Sequence, residues 1–189
     1  IATPFAGYPR HFYYNQKINC LRAKGDVTAG AETYTFHPET DMAVLDWGRG
    51  VWTYSNTWYW GSLSTVTADG RAVGLNLGYG FGDTSAATEN MLFVDGIAHK
   101  LEHVVFDIPK NATGGDDFMK PWHIYDNHGR LDLTFQPLID RSDCTSVLVI
   151  ESDQHQVFGL MTGKAVTDDG EEIHIEKALG FAEKVKNRW

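Results

Sequence analysis

The sequence predicts an all-β fold, an antiparallel barrel or closed sandwich with little helix. Apolar and polar residues alternate with period two along nearly the whole chain, and Gly- and Asp-rich turn signals separate the alternating runs. Helical periodicity is nearly absent. About ten antiparallel strands joined by short hairpins have to close on themselves or pack as two sheets, because an open sheet of that size leaves exposed edges.

The elements follow in order. Phe12, Tyr14, Gln16, Ile18 and Cys20 share one face of the first strand; Tyr34 and Phe36 begin a second, and Ala43 to Trp47 form a third. Thr57 to Thr67 carries Trp58 and Trp60 on one face. Arg71 to Tyr79 puts Val73, Leu75, Leu77 and Tyr79 together with Asn76 opposite, after a hairpin at Ala68-Asp69-Gly70. Asn90 to Val94 and Ile97 to Ile108 flank Asp95-Gly96, a dipeptide suited to a primed turn. Two further hairpins pair Trp122–Tyr125 with Arg130–Gln136 and Gln156–Thr167 with Glu171–Lys177. Gly180 to Trp189 reads as a last strand, alternating Phe181, Glu183, Val185 and Asn187 against charged neighbours. The loop from Lys110 to Asp117, with Gly114-Gly115, is expected to be the most flexible stretch.

A chain of 189 residues fits a single β-barrel-like domain over residues 1–189. The net charge of -9 opposes binding to a phosphate backbone, so nucleic acid is not an expected partner. No run of eighteen apolar residues exists, so no membrane span is expected. Cys20 and Cys144 lack CxxC spacing and read as reduced thiols of a cytoplasmic protein. The start at Ile1, without an initiator Met or a signal pattern, suggests a cut inside a longer protein.

His99-Lys100-Leu101-Glu102-His103 matches a zinc-protease pattern, but its neighbours read as strand, where residues four apart lie about 13 Å from each other. No metal and no cofactor is expected. Candidate catalytic carboxylates are Asp46, within Leu45-Asp46-Trp47-Gly48-Arg49, and Asp83 and Glu89, beside the glycine-rich bend Gly78-Tyr79-Gly80-Phe81-Gly82. Arg49 is the expected ion-pair partner of Asp46. Candidate ligand-binding residues are Arg49, Trp52, Trp58, Trp60, Asn76, Tyr79, Asn90, Asp140 and Arg141. The aromatic members offer a platform for an apolar or ring-shaped ligand, and the others supply polar contacts.

The strings NQKINCLRAKG, VLDWGRGVW, NTWYWGS, NLGYGFGDTSAATENMLF, HKLEHVVFDIP, LIDRSD, HQVFGLMTGKAVTDDG and GFAEKVKNRW resemble, in order, the C-terminal part of a bacterial family catalogued as domain of unknown function 2804. That family is similar to a two-domain lipocalin-like group that includes hydroxyneurosporene synthase, a carotenoid hydratase. The resemblance implies a calycin-type barrel, with any site at the barrel mouth or between the halves.

The expected function is binding of a small apolar or polyene-like ligand, with cofactor-free acid-base hydratase or isomerase chemistry if the protein is an enzyme. One alternative is a carbohydrate-binding or glycosidase-like domain built on the same aromatic platform and carboxylates. Another is a structural domain whose aromatics pack on an N-terminal half of the same protein.

Overall fold

Aliphatic residues at every second position of Ala72–Tyr79 (β7) and Leu131–Val147 (β12) create strand faces that have to be covered, and a single sheet curled on itself covers them. The computed structural model describes residues 1–189 as fourteen strands with no helix, hence none long and apolar enough to cross a membrane. Nine strands form the main sheet. In spatial order they are Val104–Asp107 (β10), Trp122–Asp126 (β11), β12, Ile150–Val166 (β13), Glu172–Arg188 (β14), Ser55–Val66 (β6), β7, Met91–Val94 (β8) and Ile97–Lys100 (β9), with every neighbouring pair antiparallel. The expected all-β class is the observed one.

The curl follows from connectivity. β9 and β10 are the two outer strands of the sheet, yet only Leu101, Glu102 and His103 separate them in sequence. The sequence reading ran Ile97 to Ile108 as one strand; the structure breaks it there, because β9 pairs with β8 while β10 pairs with β11. Leu101 is buried and its N–H donates to the Asn90 carbonyl, which pins the crossing. Across the opening the Phe106 N–H donates to the Tyr79 hydroxyl at 3.2 Å.

Inside the curl lies one cluster of 22 buried residues, including Leu75, Leu77, Trp122, Ile124, Leu133 and Phe135. Each such large side chain contributes about 1.5–3 kcal/mol through removal from water. Asp95 and Gly96 both have positive φ, 50° and 83°, as a primed turn between β8 and β9 demands.

A second sheet of three strands, Ala2–Phe5 (β1), Tyr8–Arg22 (β2) and Met42–Val51 (β5), lies over the other face of β6 and β7. Gly25–Ala29 (β3) and Glu32–Phe36 (β4) make a separate exposed hairpin. On the covered face of β6 and β7 stand Ser62, Ser64, Gly74, Asn76 and Gly78. These small and polar residues let β2 come close: Asn19 Nδ2 donates to Ser62 Oγ at 2.8 Å and to the Leu75 carbonyl at 2.9 Å, and the Cys20 N–H donates to Ser64 Oγ at 3.1 Å. A Cβ on Gly74 would meet Cys20 Sγ at 2.6 Å. Asn76, opposite the Val73, Leu75 and Leu77 row as expected, is 1% exposed as a result.

β2 turns Asn15, Lys17 and Asn19 inward, and beyond the irregularity that follows Ile18 it brings Cys20 to the same side. Asn15 is buried and Lys17 is mostly covered, whereas Phe12 and Tyr14 stand exposed on the outer side with Leu45, Trp47 and Val51. β12 and β13 also run well past the expected ends, to Val147 and back from Ile150. Glu171–Lys177 and Gly180–Trp189, read as two segments, form the single strand β14 with a bulge at Lys177, whose φ is 44°. The loop expected to be flexible is tied down: Asn111 Oδ1 accepts from the N–H groups of Thr113 and Gly115, and Asp116 pairs with Lys110 and Lys184.

Candidate functional site

The close packing of β2 on β6 and β7 opens toward Trp58 and leaves a cavity of about 190 Å³ between the two sheets. Pairing register builds its floor. Trp60 on β6 stands opposite Glu183 on β14, Glu183 opposite Gln156 on β13, and Gln156 opposite Arg141 on β12, so one row of side chains crosses four strands. Glu183 is 8% exposed and accepts from Trp58 Nε1 at 2.9 Å and from Gln156 Nε2 at 3.0 Å. Arg141 Nη1 donates to Gln156 Oε1 at 3.3 Å and so reaches Glu183 through one amide. Burial pushes the Glu183 carboxyl above the ordinary carboxylate range, against the lowering effect of its two donors and of Lys17.

The roof comes from β2 and β5. Lys17 Nζ lies 2.6 Å from Asp46 Oδ1 and 3.8 Å from the Trp60 ring centroid, so one ammonium meets a carboxylate and an aromatic face at once. Asn15 Nδ2 donates to Glu89 Oε2 at 3.0 Å, and its Oδ1 is buried without a partner. The Tyr13 hydroxyl is pushed up to about 12, first by burial and further by the Asp46 and Glu89 charges. Glu89 folds back over Gly78, where a Cβ would stand 2.4 Å from Glu89 Oε1. Asn76 holds the same corner, accepting from Trp60 Nε1 at 2.9 Å and donating to the Glu89 carbonyl at 2.9 Å.

Phe81 closes the mouth. Gly80 and Gly82 have φ of 90° and 73°, and a Cβ on Gly80 would meet the Thr57 carbonyl oxygen at 2.7 Å, so the bend that inserts Phe81 needs glycine. Tyr13, Trp52 and Trp58 each meet the Phe81 ring edge to face, at centroid distances of 4.7, 5.5 and 5.4 Å.

Among the sequence-derived residues, Asp46, Glu89, Trp52, Trp58 and Trp60 line this cavity together. Asn76 and Asn90 stand behind it; Asn90 Oδ1 accepts from the Gly78 N–H at 2.6 Å and Nδ2 donates to the Glu102 carbonyl at 2.8 Å. Tyr79 borders the cavity, but its ring stacks on Tyr59 at 4.5 Å on the core side. Arg49 lies three residues from Asp46 on the same strand, hence on the opposite face, and the expected Asp46–Arg49 pair is replaced by Lys17–Asp46. Asp83 lies in a shallow depression outside the cavity and accepts from the Ser85 N–H at 3.0 Å. Asp140 is turned to the core side, where His155 Nδ1 contacts it at 2.7 Å and the imidazole stacks on Phe118.

Sequence reasoning missed Asn15, Lys17, Phe81 and Glu183. The signal for Glu183 was a lone acid in the row Phe181, Glu183, Val185, Asn187 of an otherwise buried face. His99 and His103 stand apart in role: the His99 ring accepts from the Asp168 N–H at 3.1 Å, and His103 is exposed.

These features define an all-β protein whose curled nine-stranded sheet carries a second sheet, with an aromatic, acid-lined pocket between them. Residues 1–189 match the model of the family described as domain of unknown function (DUF2804), and the chain belongs to that family. No curated protein and no solved structure matches the chain.

Proposed function

We propose that the chain binds a compact, partly apolar small molecule in the pocket between the two sheets, and that Glu183 exchanges a proton with it. The reading rests on one observation: a carboxyl group 8% exposed, with raised proton affinity, faces a cavity walled by Trp58, Trp60 and Phe81. A desolvated carboxyl with raised proton affinity can act as proton donor and, once ionised, as acceptor, which suits addition or isomerisation without a cofactor. Asp46 and Glu89 are the second carboxylates such chemistry needs. About 190 Å³ suits a ring-sized molecule or the head of a longer polyene-like one. Edge-to-face contacts around Phe81, and Lys17 seated on Trp60, leave no open pair of parallel rings, which weighs against the sugar-platform reading. Within the family, the curled sheet supports a calycin-type relation, and free Cys20 and Cys144 support a reducing, cytoplasmic setting. The test is native mass spectrometry of protein purified from its own host. A bound small molecule is expected, and Trp58→Ala should release it; protein that carries none from any growth condition would overturn the reading.

A second proposal concerns the outer face of β2 and β5. Phe12, Tyr14, Leu45, Trp47 and Val51 are each about half exposed there and together form a surface that disfavours water. A further part of the same protein, preceding these residues, is the proposed cover. Hydrogen exchange on a longer chain should show β5 amides protected relative to the 189 residues alone; equal exchange would defeat it.

A further inference from the structure

The polar atoms around the pocket are unequally used. The indole N–H groups of Trp58 and Trp60 are spent on Glu183 and Asn76, the Asn15 amide N–H on Glu89, and the Gln156 amide N–H on Glu183. Acceptors remain. Asn15 is 3% exposed and lines the cavity, yet its Oδ1 has no partner, and buried carbonyl oxygens of that kind are rarely left alone. The Asp46 and Glu89 carboxylates have lone pairs beyond the bonds they already accept. The hydroxyls of Tyr13, Thr3 and Thr84 can serve in either role.

Charge points the same way. Three carboxyl groups, those of Asp46, Glu89 and Glu183, line the cavity against two ammonium groups, that of Lys17, paired with Asp46, and that of Ile1, which donates to the Asn15 main-chain carbonyl at 3.0 Å. The walls add aromatic faces, whose quadrupoles attract cations. Lys17 itself is an internal example, bound at once by Asp46 and the Trp60 ring.

Resting on the small-molecule reading above, we infer that the ligand is a small organic cation, a protonated amine carried on a ring-sized apolar skeleton. Its N–H bonds are directed to Asn15 Oδ1 and the Glu89 and Asp46 carboxylates, and its carbon skeleton lies against Trp52, Trp58 and Phe81. A quaternary ammonium would use the rings and leave Asn15 Oδ1 unanswered. An anion would meet three carboxyl groups.

The experiment titrates tryptophan fluorescence of the 189-residue protein with benzylamine, cyclohexylamine and phenethylamine, each beside its matched alcohol and carboxylate. The amines are expected to bind at least about tenfold more tightly than the alcohols, with the carboxylates weakest, a difference of about 1.4 kcal/mol or more. Lys17→Met should tighten amine binding several-fold by removing the competing cation, and Asp46→Asn should weaken it. Alcohols that bind as well as the amines, or a Lys17→Met protein that loses amine binding while its circular dichroism is unchanged, would overturn the cation and leave the pocket. No binding by any member of the three series would overturn the pocket as well.

Discussion

On one face of the nine-stranded sheet Leu75, Leu133, Phe135 and Trp122 are sealed from water, and on the other Ser62, Asn76 and Glu183 are nearly as buried. The first face is held by apolar surface removed from water. The second is held by hydrogen bonds, because each polar group leaving water there has to find a partner inside the protein. Burial alone therefore does not distinguish a core from a site. What distinguishes them is whether the buried groups are apolar and mutually packed, or polar and arranged around a gap.

Substitutions on the two faces sharpen that contrast. The largest effect is expected for Phe135→Ala, about 3–5 kcal/mol in urea denaturation, since the ring is fully covered in the closed curl. Next comes Gly159→Ala, also on the closed side, where a Cβ would meet the Gln136 carbonyl oxygen at 2.5 Å and the Phe135 ring at 2.6 Å. Backbone and a packed ring cannot yield, so about 1–3 kcal/mol is expected by the same measurement. Gly78→Ala is the matching change on the pocket side, and its obstacle is the free end of Glu89. A loss under about 1.5 kcal/mol is expected, together with lost amine binding in the fluorescence titration, as Glu89 swings away. Equal destabilisation by the two glycine changes would break the comparison.

The smallest effect at any one pH is expected for Glu183→Gln, and it shows in the slope. The native carboxyl lies above its ordinary 4.5, so the native state holds the proton more tightly than the unfolded chain. Its stabilising contribution is complete below about pH 4.5 and is lost as pH rises through the native value. Glu183→Gln should flatten that part of the stability profile, read from thermal denaturation across pH 4 to 8. An unchanged profile would show that Glu183 is solvated after all.

The strands on the apolar side were legible because their pattern and their burial agree. Alternation over Arg71 to Tyr79 and the Asp-Gly turns stand as the sequence suggested. Alternation in β2 shows which residues share a face and does not show which face is covered. Its outer row, Phe12, Tyr14 and Ile18, is more apolar than its inner row, Tyr13, Asn15 and Lys17, so the usual rule that the apolar side faces inward does not hold for this strand. The inner row is polar because it meets the Ser, Asn and Gly strip of β6 and β7, a complementarity between segments over 40 residues apart that local patterns do not carry. Lys17 and Asn15 went unnoticed with it. The sequence offers Asp46 a charged partner nearby at Arg49, whereas its partner in the structure, Lys17, comes from across the sheet.

β14 occupies the middle of the nine-stranded sheet, yet its residues 172–188 come after those of every other strand it joins. A ribosome making this chain releases two four-stranded halves before the strand that unites them exists, and pairing with β6 must then bridge more than 100 residues of intervening chain. Assembly is thus expected to be late and slow. Because Glu183 rides on that same strand, a chain that stops short of it has no pocket to fill.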